Sequence, residues 1–426
     1  MTLNTIQQQV FDRVVIDKAP ITYLVGAAGV GKSHTVSQII RHVPHILTAT
    51  SHQAKSVLSQ MTGDRAITVH SYFGYILTTA GYQQKLVKRD KHSQETTTLL
   101  VIDEISLLPD RILTDALEGL GIYYDQILFV GDPVQLPAVS NAPKLQKLDS
   151  YKIELTEQMR QASCPILSNY LKSFRSAIET DTMPASLFTE APSITLLDSH
   201  RDFCREYILC EGSKRIIAYR NAVVDKYNAN IVEGGDFNIG DIVVIDKPIG
   251  TVAKNQDQVL ITHIEDTEHY YDITARTVDG HTVNLLHYKK VSYINSELEK
   301  LKSKHRKEAY WELYDSSFRL KHLYSSTIYK AQGTSVDYVF IDALDIVNAF
   351  EATKTKWNNP ISQDMFLRLL YVAVSRMRTH CYIFTGADGQ GRFYEILSET
   401  PDRASKNLSR PKRVVEKLEP TRFTID

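Results

Sequence analysis

The chain has 426 residues, with 49 Lys and Arg against 50 Asp and Glu, a formal net charge of -1. Hydrophobic residues make up 43% and charged residues 23%, which excludes a disordered, collagen-like or coiled-coil chain and a uniformly basic nucleic-acid coat, though not a local basic groove. Apolar runs such as Leu99–Ile102 fall far short of the ~18 residues that span a bilayer, so no membrane role is expected.

The N-terminal residues are polar and lack the apolar stretch of a signal peptide. The four cysteines, Cys164, Cys204, Cys210 and Cys381, are scattered without a CxxC pair, so a reducing, cytoplasmic setting is expected.

Residues 1–150 alternate strand-length and helix-length segments. Ile21–Val25 is an apolar run ending in a Gly-rich turn, and a helix is predicted from Gly31 to about His42. Strands follow at His45–Ala49, Leu99–Ile102 and Gln126–Val130, with a polar helix near Gln53–Gln60. Buried strands separated by helices indicate an α/β fold with a parallel sheet covered on both faces. The pattern breaks over about 73–98, which reads as an inserted hairpin.

A second strand–helix run begins near Lys152, with Arg215–Tyr219 and a helix over Asn221–Val232. Between about 236 and 293 the chain turns β-rich, with short strands at roughly ten-residue spacing. That pattern suggests a small inserted barrel or sandwich. A charged helical stretch, Asn295–Tyr314, leads back to strands at Leu323–Ile328, Tyr338–Ile341 and His380–Thr385, with a helix at about Asp364–Arg376. The charged run Glu297–Glu308 reads as a solvated helix face, and Trp311 and Trp357 as packing residues. Between Arg403 and Arg422 seven Lys or Arg stand against two Glu, so 401–426 reads as a basic tail.

The strongest local signal is GAAGVGKS, residues Gly26, Ala27, Ala28, Gly29, Val30, Gly31, Lys32 and Ser33. It fits the phosphate-loop pattern and lies between a predicted strand and a predicted helix. Glycines let successive backbone N–H groups face phosphates at a helix N-terminus. Lys32 would reach the β- and γ-phosphates of ATP, and the Ser33 hydroxyl would ligate Mg²⁺.

The run LLVIDE then delivers Asp103 and Glu104 at a strand end. Asp103 would hold Mg²⁺ through water, and Glu104 would polarise the attacking water. In GDPVQLP, Gln135 can touch a γ-phosphate and sense its loss. Arg160 and Arg376 remain, and a cis arginine stabilises charge on a transferring phosphoryl group; for Arg376 a surface salt bridge is the alternative.

Together GAAGVGKS, VIDEIS, VGDPVQLPAV, TEQMR, STIYKAQGTSVD and LLYVAVSRMR resemble, in order, the motifs of superfamily one DNA helicases, in the B branch of the RecD/Dda-like group. The resemblance runs from residue 3 to about 385. It implies two RecA-like domains: one over 1–150, carrying the hairpin at about 73–98 as a pin, and one built from 151–235 and 315–400. The β-rich insertion and its helical return fill 236–314.

The resemblance also implies that Gln7 reads adenine, and that Arg160 and Arg376 reach the γ-phosphate from the second domain. Gln332 and Gly333 would couple nucleotide to DNA. Thr50, Ser51, His52, His70 and Ser71 would contact single-stranded DNA from the first domain, and Thr327 and Tyr329 from the second. The family more often has His where Tyr329 stands.

The function so implied is an ATP-dependent, Mg²⁺-requiring helicase. It would move 5′→3′ on single-stranded DNA and unwind forked duplex in phage-type replication or recombination, as a monomer in a phage or bacterial host cytosol. Replisome or single-strand-binding proteins are expected partners. Tyr82, Leu86 and Val87 are the apolar wedge candidates of the pin, with plain hairpin packing as the alternative. A translocase that strips bound proteins and unwinds weakly would share every ATPase residue.

Overall fold

The structure, a computed structural model, describes residues 3–89, 94–138, 144–157, 165–184, 190–231, 237–247, 249, 252–253, 257–277, 280–318, 320–352 and 360–386. Arg160, Trp357, Cys164 and the basic tail lie outside the described residues.

The first sheet is built from β1 (Ile21–Gly26), β2 (His45–Ala49), β3 (Ala66–Thr68), β6 (Thr97–Asp103), β7 (Tyr124–Gly131) and β8 (Lys152–Leu155), with β4 (Tyr75–Ala80) and β5 (Gln83–Lys88) forming a separate pair. The order is β3-β2-β6-β7-β1-β8, all parallel. Successive strand residues point to opposite faces, so one chain segment feeds two cores. Leu99 and Val101 join Leu24, Leu128 and Val130 on one side. Leu100 and Ile102 join Tyr23, Ile127 and Phe129 on the other. This is why the strands read as unbroken apolar runs rather than as alternation.

The β4–β5 hairpin pairs Tyr75 with Lys88 and Ala80 with Gln83, leaving Gly81–Tyr82 as a two-residue turn. Gly81 has φ 66°, a value that disfavours side chains.

The second parallel sheet begins with β9 (Ile194–Leu197) and β10 (Lys214–Ala218). The chain then leaves for β11 (Ile242–Val244), β12 (Gln258–Asp266), β13 (Tyr270–Thr277) and β14 (Thr282–Tyr288). After helices Val291–Ser303 and Lys307–Ser316 come β15 (Ser317–Phe318) and β16 (Lys321–His322). These six strands form one sheet, ordered β15-β14-β13-β12-β11-β16. Its strands alternate, with Val259, Ile261, Val283 and Leu285 inward and Leu260 outward, around a single apolar core.

The chain returns through β17 (Ser325–Thr327), β18 (Val336–Asp342) and β19 (Met377–Phe384) to complete the order β17-β10-β18-β19-β9, again all parallel. Its main core is sealed by helix Gln363–Val374, whose Phe366, Leu367 and every residue from Leu369 to Val374 are buried. Ser362 caps that helix by accepting from Met365 N at 3.2 Å. Each large apolar side chain buried there contributes about 1.5–3 kcal/mol relative to exposure.

The hairpin tip reaches the six-stranded sheet's helices. Trp311 Nε1 donates to the Gly81 carbonyl at 3.1 Å, and the Tyr82 ring meets Tyr310 edge-on at 4.9 Å. Trp311 thus packs, as expected for it. In the charged run, Lys300 pairs with Glu297 and Lys302 with Glu299 on an exposed helix face.

Candidate nucleotide site and nucleic-acid groove

After β1 the backbone turns through Gly29 at φ 88° and Gly31 at φ 89° into helix Lys32–Ile39. The loop is wedged tightly, since a Cβ on Gly26 would lie 2.7 Å from the Leu155 carbonyl oxygen. Lys32 Nζ donates to the carbonyls of Gly26 at 2.6 Å and Ala27 at 2.9 Å. Burial lowers the ammonium's pKa, while Asp132, Glu104 and Asp103 oppose that shift. A left-handed turn, a helix N-terminus and a partly buried cation make an anion cradle suited to a triphosphate.

Asp103 ends β6, and its Oδ1 accepts from Glu104 N at 2.9 Å. Burial first, and then the Glu104 carboxylate, push Asp103 up to about 7, against the pull of the Glu104 N–H and Lys32. Two acids beside a single ammonium leave room for added positive charge, which fits a nucleotide-bound Mg²⁺ near Ser33 and Asp103. Glu104 itself sits at φ 55°, a left-handed conformation that costs a non-glycine residue about 1–3 kcal/mol.

The second domain closes on this pair. Glu104 Oε1 lies 3.6 Å from where a Cβ on Gly333 would stand. Gln332 Nε2 donates to Ser106 Oγ at 3.2 Å. Gln332 Oε1 and Gln135 Oε1 are buried without a protein partner among the described residues, and such orphaned acceptors call for donors the chain does not itself supply.

Arg376, 4% exposed, spends its guanidinium on Val372 O, Ser375 Oγ and Thr334 O. Its burial takes it off the surface, where its sequence context would allow a salt bridge. Through Thr334 it is tied to the segment that carries Gln332 and Gly333. Gln7 is buried, and its Oε1 accepts from Asn4 N at 3.0 Å while Asn4 Oδ1 accepts from Gln7 N at 2.8 Å. This is a capping box, so Gln7 also shapes the first helix.

A groove of about 550 Å³ lies on the first domain. Its lining brings together Thr50, Ser51, His52, His70 and Ser71 with Ile76, Leu77, Leu86 and Arg89 of the hairpin. Ser51 caps helix His52–Thr62 by accepting from Ala54 N at 3.1 Å. Thr50 Oγ1 donates to the Glu104 carbonyl at 3.4 Å, which ties the groove to the carboxylates. Burial, then Arg111 and His52, lower the His70 pKa.

Thr327 and Tyr329 are placed elsewhere, on the second domain. Thr327 Oγ1 accepts from Lys330 N at 3.3 Å, and the Tyr329 hydroxyl meets Met365 Sδ at 3.6 Å.

Sequence reasoning missed two residues that line the groove, Leu77 and Arg89, and Arg111 beside it. Leu77 is 65% exposed, pairs across the hairpin with Leu86, and is more open than Val87 at 39%. Arg89 closes the hairpin, and Arg111 lies 4.6 Å over the Tyr75 ring. Period-two spacing from Tyr75 marks Leu77; Arg111 carries no local signal, because its partner lies in another element.

The fold and this site define a phosphate-loop NTPase of two parallel α/β domains. Residues 2–184 match the AAA domain family. The ATP-dependent DNA helicase dda of Enterobacteria phage T4 is 25% identical over 434 aligned positions, covering 83% of this chain and 92% of the relative. Among solved structures, a Pif1 helicase described in work on DNA unwinding at forked duplex DNA superposes with a TM-score of 0.54 at 19% identity, covering 90% of this chain and 92% of the other. The Bacteroides Pif1 helicase in complex with ADP-AlF3 and single-stranded DNA gives 0.51 at 18% identity over the same shares. The chain is thus similar to the phage helicase over most of its length and shares the fold of the two Pif1 structures.

Proposed function

We propose that this enzyme is an ATP-dependent DNA helicase that moves 5′→3′ on single-stranded DNA and opens forked duplexes. The observation that carries the reading is the groove from Thr50–His52 and His70–Ser71 to the hairpin's Leu77 and Leu86, tied by Thr50 to Glu104. A nucleic-acid contact and the residue that bears a hydrolytic carboxylate are then joined by one hydrogen bond.

In this reading the domains are those of the sequence, 1–150, 151–235 with 315–400 and an insertion over 236–314, with two departures: β8 at 152–155 joins the first sheet, and β15 and β16 at 317–322 join the insertion's sheet. The insertion is barrel-like, since its edge strands β15 and β16 are separated by only residues 319–320. ATP lies on Gly26–Ser33 with Gln7 at the adenine. Ser33 and Asp103 would hold Mg²⁺, which supplies charge neutralisation of the β- and γ-phosphates. Glu104 takes a proton from water as its oxygen attacks the γ-phosphorus, and ADP leaves with the bond to the β-γ bridging oxygen broken. Lys32, Arg160 and Arg376 offset the charge that develops.

Gln135 and Gln332 report loss of the γ-phosphate. The two domains then part, and DNA contacts on Thr50, Ser51, His52, His70, Ser71, Thr327 and Tyr329 exchange in turn. The hairpin is the pin. Leu77 and Leu86 share one face of the hairpin and would meet the fork, Val87 lies on the opposite face, and Tyr82 is turned onto Tyr310 and braces the tip. Replication or recombination in a phage-type setting, action as a monomer, and single-strand-binding or replisome partners complete the proposal.

The test measures ATP hydrolysis with and without single-stranded DNA, and unwinding of forks bearing a single 5′ or 3′ tail. Strong stimulation by DNA, and unwinding that needs the 5′ tail, is the expected result. ATP hydrolysis indifferent to DNA would overturn the helicase reading, and a requirement for the 3′ tail would overturn the polarity.

A further inference from the structure

The loop after β7 starts in the first sheet and packs into the second domain. Gly131 pairs with Val25 in the first sheet. Yet Val134 and Leu136, 3% and 0% exposed, belong to the same apolar cluster as Leu167, Phe174 and Leu370. Most polar contacts run the same way, although Arg175 Nη2 also donates to Glu154 of first-sheet strand β8 at 2.8 Å. The Asp132 carboxylate, wholly buried, accepts from Arg175 Nη1 at 2.7 Å and from the Tyr371 hydroxyl at 2.8 Å. Arg368 Nη1 donates to the carbonyls of Pro133 at 2.7 Å and Gln135 at 2.8 Å. All three donors stand on two helices, Pro165–Thr180 and Gln363–Val374, which pack on each other. Within this knot the Gln135 side-chain oxygen is left buried, with no protein partner among the described residues.

We infer that Arg175, Arg368 and Tyr371 are positioning residues that fasten residues 132–136 to the second domain, so that Gln135 meets the γ-phosphate as part of that domain. The inference rests on the reading of Gln135 as a γ-phosphate sensor. Its consequence is mechanical. The change from first to second domain falls between Gly131 and Asp132, and Gln135 leaves the nucleotide whenever the second domain does. Loss of the γ-phosphate is then felt by the second domain directly through its own loop. Buried, mutually hydrogen-bonded charges suit such a role, because they fix one arrangement and tolerate no half-made contact.

The test uses the full-length enzyme and its steady-state ATP hydrolysis on oligo-dT. Wild-type stimulation by DNA is measured first. Its absence would defeat the helicase reading rather than this one. Tyr371→Phe removes one hydroxyl from a filled site, so the melting midpoint reports whether folding survives. The expected result is an unchanged KM for ATP with DNA-stimulated kcat lowered about fivefold or more. Gln135→Ala should lower kcat as well, and adding Tyr371→Phe to it should change nothing further, since both act through one contact. Multiplicative losses in the double variant would overturn the inference. So would a wild-type kcat in Tyr371→Phe, or a loss confined to KM. If Tyr371→Phe folds poorly, Arg368→Lys at its partly exposed site takes its place in the same three measurements, and the same outcomes support or overturn the inference.

Discussion

Two strand ends in this molecule share one local pattern and serve different purposes. Leu99–Asp103 and Tyr338–Asp342 both run apolar into a terminal aspartate, and burial raises the pKa of both, to about 7 for Asp103 and about 6 for Asp342. Asp342 is satisfied by the protein. It accepts from the Tyr227 hydroxyl at 2.9 Å and from Asp345 N at 3.0 Å, and it caps helix Ala343–Phe350. Asp103 instead neighbours a second acid at a left-handed residue and looks toward Lys32. A strand ending in an acid is therefore not yet a metal site; what matters is whether the chain answers its lone pairs or leaves them to a ligand.

The largest expected effect breaks the comparison outright. Lys32→Ala and Asp103→Asn should each lower DNA-stimulated ATP hydrolysis on the order of 10³-fold, while Asp342→Asn keeps the wild-type rate. Single-strand binding by Lys32→Ala, followed by fluorescence anisotropy, should be retained. Full hydrolysis by Lys32→Ala would remove the phosphate loop from the site.

Next in size, Leu136→Ala should destabilise the enzyme by about 3 kcal/mol in urea titration. That would show that a loop following a first-domain strand is part of the second domain's core. A cost near zero would return the loop to the first domain.

Smaller again is a pH effect on Asp342. Its folded pKa of about 6 lies above its ordinary 3.8, so the stability it contributes is complete below pH 3.8 and lost as pH rises through about 6. Asparagine does not titrate. Asp342→Asn should therefore gain on wild type between about pH 4 and 6, on the order of 2 kcal/mol, and run parallel to it above pH 7. Parallel melting midpoints across the whole range would show that Asp342 is ionised at no cost.

The smallest effect concerns the hairpin tip. Trp311→Phe removes one hydrogen bond, worth about 1 kcal/mol, and should lower fork unwinding more than ATP hydrolysis. Equal loss of both rates would refute a bracing role.

The parallel sheets and the phosphate loop were legible because their code is local. An apolar run of five residues, a glycine turn and Lys32 lie within one short stretch, and strand residues buried on both faces need no partner to be named. The hairpin was legible for a related reason, as a local break in the strand–helix pattern over about 73–98. What stayed hidden depends on distance along the chain. Asp132 and Tyr371 are far apart in sequence, as are Tyr75 and Arg111, and nothing near either residue announces the other. Leu77 was passed over although its strand spacing marked it, because exposure belongs to the folded surface. Arg376 was singled out from its motif, but the carbonyls and the Ser375 hydroxyl that occupy its guanidinium could be seen only once the helix end and the Thr334 segment were side by side.

The Trp311–Gly81 bond also makes the molecule its own optical probe. The chain contains two tryptophans, so Trp357→Phe leaves Trp311 as the sole indole, and its emission would report whether the hairpin tip is docked. Stopped-flow fluorescence of that variant could time release and re-docking of the tip against each round of nucleotide turnover, without attaching a dye.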